Sequence, residues 1–140
     1  VYYFHMDNCI FFFFFAGEIP SFTVYENDYV VVFMSLENHP MIVPKKHFKD
    51  VFELDDTYAS EIMKTAVYIA NATKSATQCE GVNLSQANGT VAGQDVFHFH
   101  LHIKPRWKND GVELKWNTET IDEKERELLC SKIKKSLIGD

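Results

Sequence analysis

Eight residues, Phe97 to Lys104 (FHFHLHIK), constrain this chain more than any others. Apolar and polar residues alternate strictly, with His98, His100 and His102 in one set and Phe97, Phe99, Leu101 and Ile103 in the other. Successive side chains of a strand point to opposite faces, so the pattern predicts a half-buried strand over Val96 to Ile103. Its apolar set faces a core and its imidazoles face something wet or reactive. A polar strand face that happens to use His is one explanation. A metal site is a second, but positions i and i+2 of a strand lie about 6.6 Å apart, which puts His98 and His102 roughly 13 Å apart. With Zn–N bonds near ~2.0 Å the outer two cannot share a tetrahedral ion, so at most two of the three could ligate together. The third explanation is covalent and acid–base chemistry at phosphorus. A neutral imidazole is a nucleophile, a neighbour with a pKa near ~6.5 can donate a proton, and separate roles need separate positions.

The residues before the strand favour the third explanation. Asn88 to Gln94 (NGTVAGQ) form a Gly-bearing loop that feeds the histidines directly. Gly89 and Gly93 allow backbone N–H groups to approach an anion, and Asn88 and Gln94 add neutral donors. Composition narrows the classes further. Fourteen Lys+Arg against twenty Asp+Glu give a net charge of −6, the wrong sign for a non-specific nucleic-acid or membrane-surface binder. Cys9, Cys79 and Cys130 are odd in number and widely spaced, which suits reduced thiols in a cytoplasmic setting and not a disulfide framework.

At 140 residues the chain reads as one domain over 1–140. Phe22–Glu26 and Tyr29–Ser35 read as strands joined at Asn27-Asp28, Met41–Val43 as a third, Val82–Ala87 as a fourth and Val96–Ile103 as the fifth. A helix capped by Asp55 or Asp56 runs to about Gln78, with Ile62, Ala66, Ile69 and Thr73 on one face and Gly81 past its end. Thr120 with Glu123 forms a candidate capping box for a last helix, striped by Leu128, Leu129, Ile133 and Leu137. Strands with short turns and two separate helices give an α+β fold, an antiparallel sheet of about five strands with two helices. Ile10 to Ala16 (IFFFFFA) is far short of the ~20 residues needed to span a bilayer. It reads as a short buried segment, although five consecutive Phe cannot all face inward on one regular element. Some of them are expected to line a pocket or meet a partner.

Taken with its leading Gly-Gln, the segment AGQDVFHFHLHIKPRW resembles the signature of the histidine-triad (HIT) family. NCIF at 8–11, AGEIPS at 16–21, VYEND at 24–28, IVPKKH at 42–47 and GVNLSQANG at 81–89 resemble further pieces of that family, in its order. The resemblance spans about residues 7 to 108. It implies a HIT-like sheet and hydrolysis or transfer at the α-phosphate of a nucleoside phosphoramidate or related purine nucleotide. By position, His100 would be the nucleophile that forms a nucleotidyl-imidazole, His98 and His102 would hold phosphate oxygens and handle the leaving group's proton, and His39 would be the family's fourth histidine. Asn88 and Gln94 match phosphate-contacting positions, and Asp95 falls where many members place Ser or Thr. Ile10, Phe11, Phe14, Phe33 and Leu36 fall where the family lines its base pocket, though core packing would use them equally well. The family pairs as homodimers through its long helix and a sheet edge, where Ala66, Tyr68 and Ala70 would suit the contact.

Besides Asp95, this sequence departs from the family pattern in three places. The family's loop between Phe33 and Pro44 usually carries an Asp for the ribose hydroxyls; here it is shorter, FMSLENHP, with Ser35 near that position. Weaker ribose recognition follows from a neutral partner, with Glu37 available to compensate. Many members hold a structural zinc with Cys-x-x-Cys, but here Cys9 is followed by Phe12 in the second slot, so no metal and no cofactor are expected. Lys104 replaces the last apolar residue of the motif.

Overall fold

The computed structural model describes residues 9–117 and 119–137; the opening VYYFH and Asn8 of the NCIF match lie outside the described residues. It divides into two compact units, residues 1–110 and 111–140. In the first, the order is α1 (Ile10–Phe15), β1 (Thr23–Glu26), β2 (Val30–Met34), β3 (Pro40–Pro44), α2 (Asp56–Thr77), β4 (Gly81–Ser85) and β5 (Leu101–Arg106). Short 3₁₀ turns at Val51–Glu53 and Thr90–Ala92 precede α2 and β5. The five strands form one antiparallel sheet in the order β1-β2-β3-β5-β4, so β5, the last in sequence, is inserted between β3 and β4.

Local chemistry accounts for most of these elements. Asn27 closes the β1–β2 hairpin by accepting the N–H groups of Tyr29 and Val30, both at 2.9 Å. Asp55 caps α2 by accepting from Tyr58 N–H at 2.9 Å. The helix ends at Gln78, which takes the left-handed conformation (φ 55°), so the expected role of Gly81 falls to a residue three positions earlier. Ile62, Thr65, Ala66, Ile69 and Thr73 form its buried face. They meet Val30, Val32, Ile42, Phe48, Phe99, Leu101 and Ile103 in the larger of two apolar clusters. Burying each Ile contributes roughly 1.5–3 kcal/mol. Ala66 is fully buried there, so of the residues considered for a dimer contact only Tyr68 and part of Ala70 reach the surface.

The second cluster lies on the opposite face of the sheet and explains the phenylalanine run. The segment is a helix, α1, which makes a third helix where the sequence suggested two. No side chain caps its start, and aromatic packing holds it. Phe11 and Phe14, spaced i,i+3 on one side, pack on Phe33 at ring distances of 5.8 and 5.2 Å. Phe12 and Phe15, the next such pair, turn toward His98. Phe13 points outward.

A second difference concerns the histidine strand. The ladder of β5 begins at Leu101, five residues later than the alternation suggested, because Phe99 N–H leaves the sheet to donate to Phe48 O at 2.7 Å. The alternation of faces continues into this lead-in even where the strand does not. The second unit contains α3 (Glu123–Leu137), with acidic residues in its first turn and Lys134 and Lys135 in its last, as the helix dipole favours. Asp122, not Thr120, supplies the side-chain acceptor at its start, its carboxylate accepting from Lys124 N–H at 2.8 Å. Among the described residues no helix is long and apolar enough to cross a membrane.

Candidate active site

A cleft of about 880 Å³ opens on the α1 face of the sheet. Of the residues singled out from the sequence, Ile10, Phe11, Phe14, Phe33, Ser35, Leu36, Asp95, His100 and His102 line it. Phe11 anchors the wall, its ring centroid 5.8 Å from that of Phe33 and 5.3 Å from that of His100. Glu37, Met41 and Lys104 also line it.

The three histidines have three different surroundings. His100 Nδ1 lies 2.8 Å from the carbonyl of His98. A carbonyl can only accept, so Nδ1 carries the proton and Nε2 keeps its lone pair for the cleft. His98 is wholly buried, and its Nε2–H donates to Pro44 O at 2.8 Å. Its Nδ1 accepts from the Cys9 thiol at 3.3 Å. Burial pushes its pKa down to about 4, so the ring is neutral. His98 therefore does not line the cleft; it offers the site its main-chain carbonyl while its ring packs under α1.

His102 Nδ1 lies 2.8 Å from His39 Nε2, one proton shared between two neutral rings. Burial, with the nearby His100 and His39, lowers the pKa of His102 to about 4, and burial likewise lowers that of His39. Glu37 Oε2 stands 3.9 Å from His39 Nδ1 and 3.3 Å from Lys104 Nζ. The short β2–β3 connection makes this arrangement possible: Asn38 adopts φ 62°, and Ser35 binds His39 through both its N–H (2.9 Å to His39 O) and its hydroxyl.

Two sequence candidates are placed elsewhere. Gln94 is buried, its Oε1 accepting from Gly89 N–H and its amide donating to Lys49 O at 2.6 Å and Val96 O at 3.1 Å. Asn88 accepts from Val51 N–H at 2.7 Å and pairs with Gln86. Both amides are engaged in shaping the loop that precedes the histidines, and neither lines the cleft.

One cluster was not visible in the sequence. Cys9, His47 and His98 bring one donor atom each within 4.8 Å of one another. In the position where the family pattern has a second Cys stands Phe12, whose ring stacks on His47 at 6.2 Å. The signal that could have found this cluster is the β3–β5 register. Met41 faces His102 and the strands run antiparallel, so residues just past β3 lie beside those just before β5.

A family profile of the HIT domain matches residues 16–109. The chain belongs to the HIT family. Among HIT relatives, it is 38% identical over 138 residues to a Bacillus subtilis protein called hit, covering 94% of this chain and 95% of that one. It is 33% identical over 119 residues to an adenosine 5′-monophosphoramidase of Saccharomyces cerevisiae, covering 81% of this chain and 73% of that one. The crystal structure of a HIT family member from B. subtilis superposes with a TM-score of 0.87 at 34% identity, covering 92% of this chain and 96% of that one. The antiparallel α+β sheet is thus the sheet of the HIT family.

Proposed function

We propose that the protein hydrolyses nucleoside phosphoramidates or related purine nucleotides at the α-phosphate through a covalent nucleotidyl group on His100. The observation that carries this reading is the His100 Nδ1–H bond to the His98 carbonyl, which fixes the tautomer with a nucleophilic Nε2 in the cleft. Attack of Nε2 on phosphorus forms a P–N bond to His100 as the P–N bond to the leaving amine breaks and the amine departs with a proton. The neutral His102–His39 pair stands beside it to donate hydrogen bonds and to relay that proton from solvent. Water then cleaves the P–N bond, releases the nucleotide and restores His100. Phe11, Phe14 and Phe33 provide flat apolar walls for a purine. The yeast relative's phosphoramidase activity supports the same reading.

The test is hydrolysis of adenosine 5′-phosphoramidate by the protein and by His100→Ala, with loss of turnover on the order of 10⁴-fold or more expected in the variant. A second reading, a nucleotide-binding or regulatory protein with little turnover, is favoured by the neutral Ser35 and by the carboxylate of Asp95 against the nucleophile. AMP binding without hydrolysis in either protein would select it.

The reading includes a homodimer that works in the cytoplasm without a bound metal. The outward Met63, Val67 and Tyr68 of α2 offer the dimer an apolar contact, and light scattering at twice the chain mass tests it. For the metal, three donors converge beside the Phe12 ring. Zinc found at unit stoichiometry in purified protein would overturn that part.

A further inference from the structure

Asp95 is a second feature of the cleft that bears on which substrate it takes. Its Oδ1 accepts the N–H of Val96 at 2.8 Å, so the carboxylate is held by its own loop. The same oxygen lies 3.8 Å from His100 Nε2, the nitrogen whose lone pair faces the cleft. A phosphorus poised for attack sits about 3–3.5 Å from its nucleophile, which puts Asp95 within roughly 7 Å of the reacting centre. The other charges lining the cleft, Glu37 and Lys104, are bonded to each other at 3.3 Å. Among the described residues, the one basic group within 4 Å of the Asp95 carboxylate is His100, whose Nε2 carries no proton in this tautomer. A substrate phosphate therefore meets a carboxylate whose charge no Lys or Arg offsets.

We propose, on the strength of the hydrolase reading above, that Asp95 is a specificity-determining residue that selects substrates by the charge of the leaving group. It favours nucleoside phosphoramidates whose leaving amine carries a distal positive charge over those whose amine carries a negative one. A positive leaving group offsets the repulsion between phosphate and carboxylate, and a negative one adds to it. Asp95 is largely exposed, its side chain at 85%, so water screens the effect. At such distances one unit charge in a water-like dielectric changes a rate or affinity by about threefold. Between leaving groups of charge +1 and −1 the preference is then on the order of sevenfold, and it weakens with added salt.

The test uses three adenosine 5′-phosphoramidates of similar size, made with 1,2-diaminoethane, ethanolamine and glycine, so that the bond broken is the same P–N bond and only the distal charge differs. Their kcat/KM values are measured for the protein and for Asp95→Asn at low ionic strength. The expected result is a roughly sevenfold preference for the diaminoethane compound over the glycine compound, falling below about twofold in Asp95→Asn. An equal preference in both proteins overturns the proposal. Dissociation constants for the same compounds, measured on His100→Ala with and without Asp95→Asn, give a readout that does not need turnover. If the compounds bind but are never hydrolysed, the hydrolase reading fails while the charge ranking in binding still decides the role of Asp95. If none binds, both fall together.

Discussion

Val30, Val32, Ile42, Leu101 and Ile103 look one way from the sheet and meet α2; Val31, Phe33, Met41, His100 and His102 look the other way and meet α1 or the cleft. The two faces are alternate residues of the same strands. One is closed by a 22-residue helix with a capped start and a continuous buried stripe. The other is covered by a six-residue helix of aromatics that leaves a cleft beside it. The comparison teaches that one backbone can serve packing and chemistry together, provided that the side devoted to packing holds the strands rigid. On the second face His98 and His100 are buried and His102 is partly so, and burial lowers the pKa of His98 and His102 to about 4, which holds both rings neutral at physiological pH.

The largest expected effect separates the faces directly. His100→Ala should abolish turnover by about 10⁴-fold or more while urea unfolding shows a far smaller relative change; a variant that loses activity only because it unfolds would break the comparison. Ile69→Ala, on the packed face, should do the reverse. It should cost roughly 2–5 kcal/mol in urea unfolding and leave the KM of the folded protein unchanged. A shifted KM at a temperature where the variant is folded would show that the faces are not independent.

Acid should act through the histidine face. His98 and His102 have folded pKa values of about 4, below the unfolded value of ~6.5, so between these limits the unfolded chain binds more protons. Stability is then complete above pH ~6.5 and falls as the pH drops toward 4. On the order of 1–3 kcal/mol should be lost between pH 6.5 and 5, before most carboxylates titrate. Urea midpoints that stay level across this window would mean that the rings are not held neutral. The smallest effect belongs to α2. Gln78→Gly relieves a left-handed residue and should raise stability by about 1 kcal/mol with kcat unaltered; an unchanged or lowered unfolding midpoint would show that the Gln78 amide bond to Ser75 O outweighs the strain.

Much of the packed face was legible in the sequence. Asp55 is a capping residue with the right spacing, and Ile62, Ala66, Ile69 and Thr73 repeat at helical period, so α2 announces itself. The strands rich in Val and Tyr do the same. The helix of five Phe was not legible, because identical residues carry no periodicity: only the partners at Phe33 and His98 reveal which ring faces where. The histidine alternation separated the faces correctly from Phe99 onward, but it set His98 in a wet site where the ring is buried and Phe97 in a core where it is exposed. It also gave the ladder wrongly, since side-chain alternation needs extended backbone and not a paired neighbour. Gln94 and Asn88 read as phosphate donors because their amides suit an anion. Nothing in the sequence shows that Lys49, Val51 and Gly89 already occupy them. The convergence of Cys9, His47 and His98 joins three separate parts of the chain, which only the strand register connects.

The proton on His100 is placed by a main-chain carbonyl, and the ring that steadies that stretch of main chain is itself anchored on another, that of Pro44. In many nucleophilic histidines a carboxylate side chain does this work, and a single codon change can remove it. Here no substitution deletes either acceptor, because every residue type has a carbonyl. The orientation of the His100 ring is thus insulated from point mutation at both acceptor positions, so variation around the cleft can change its lining while leaving that ring as it stands.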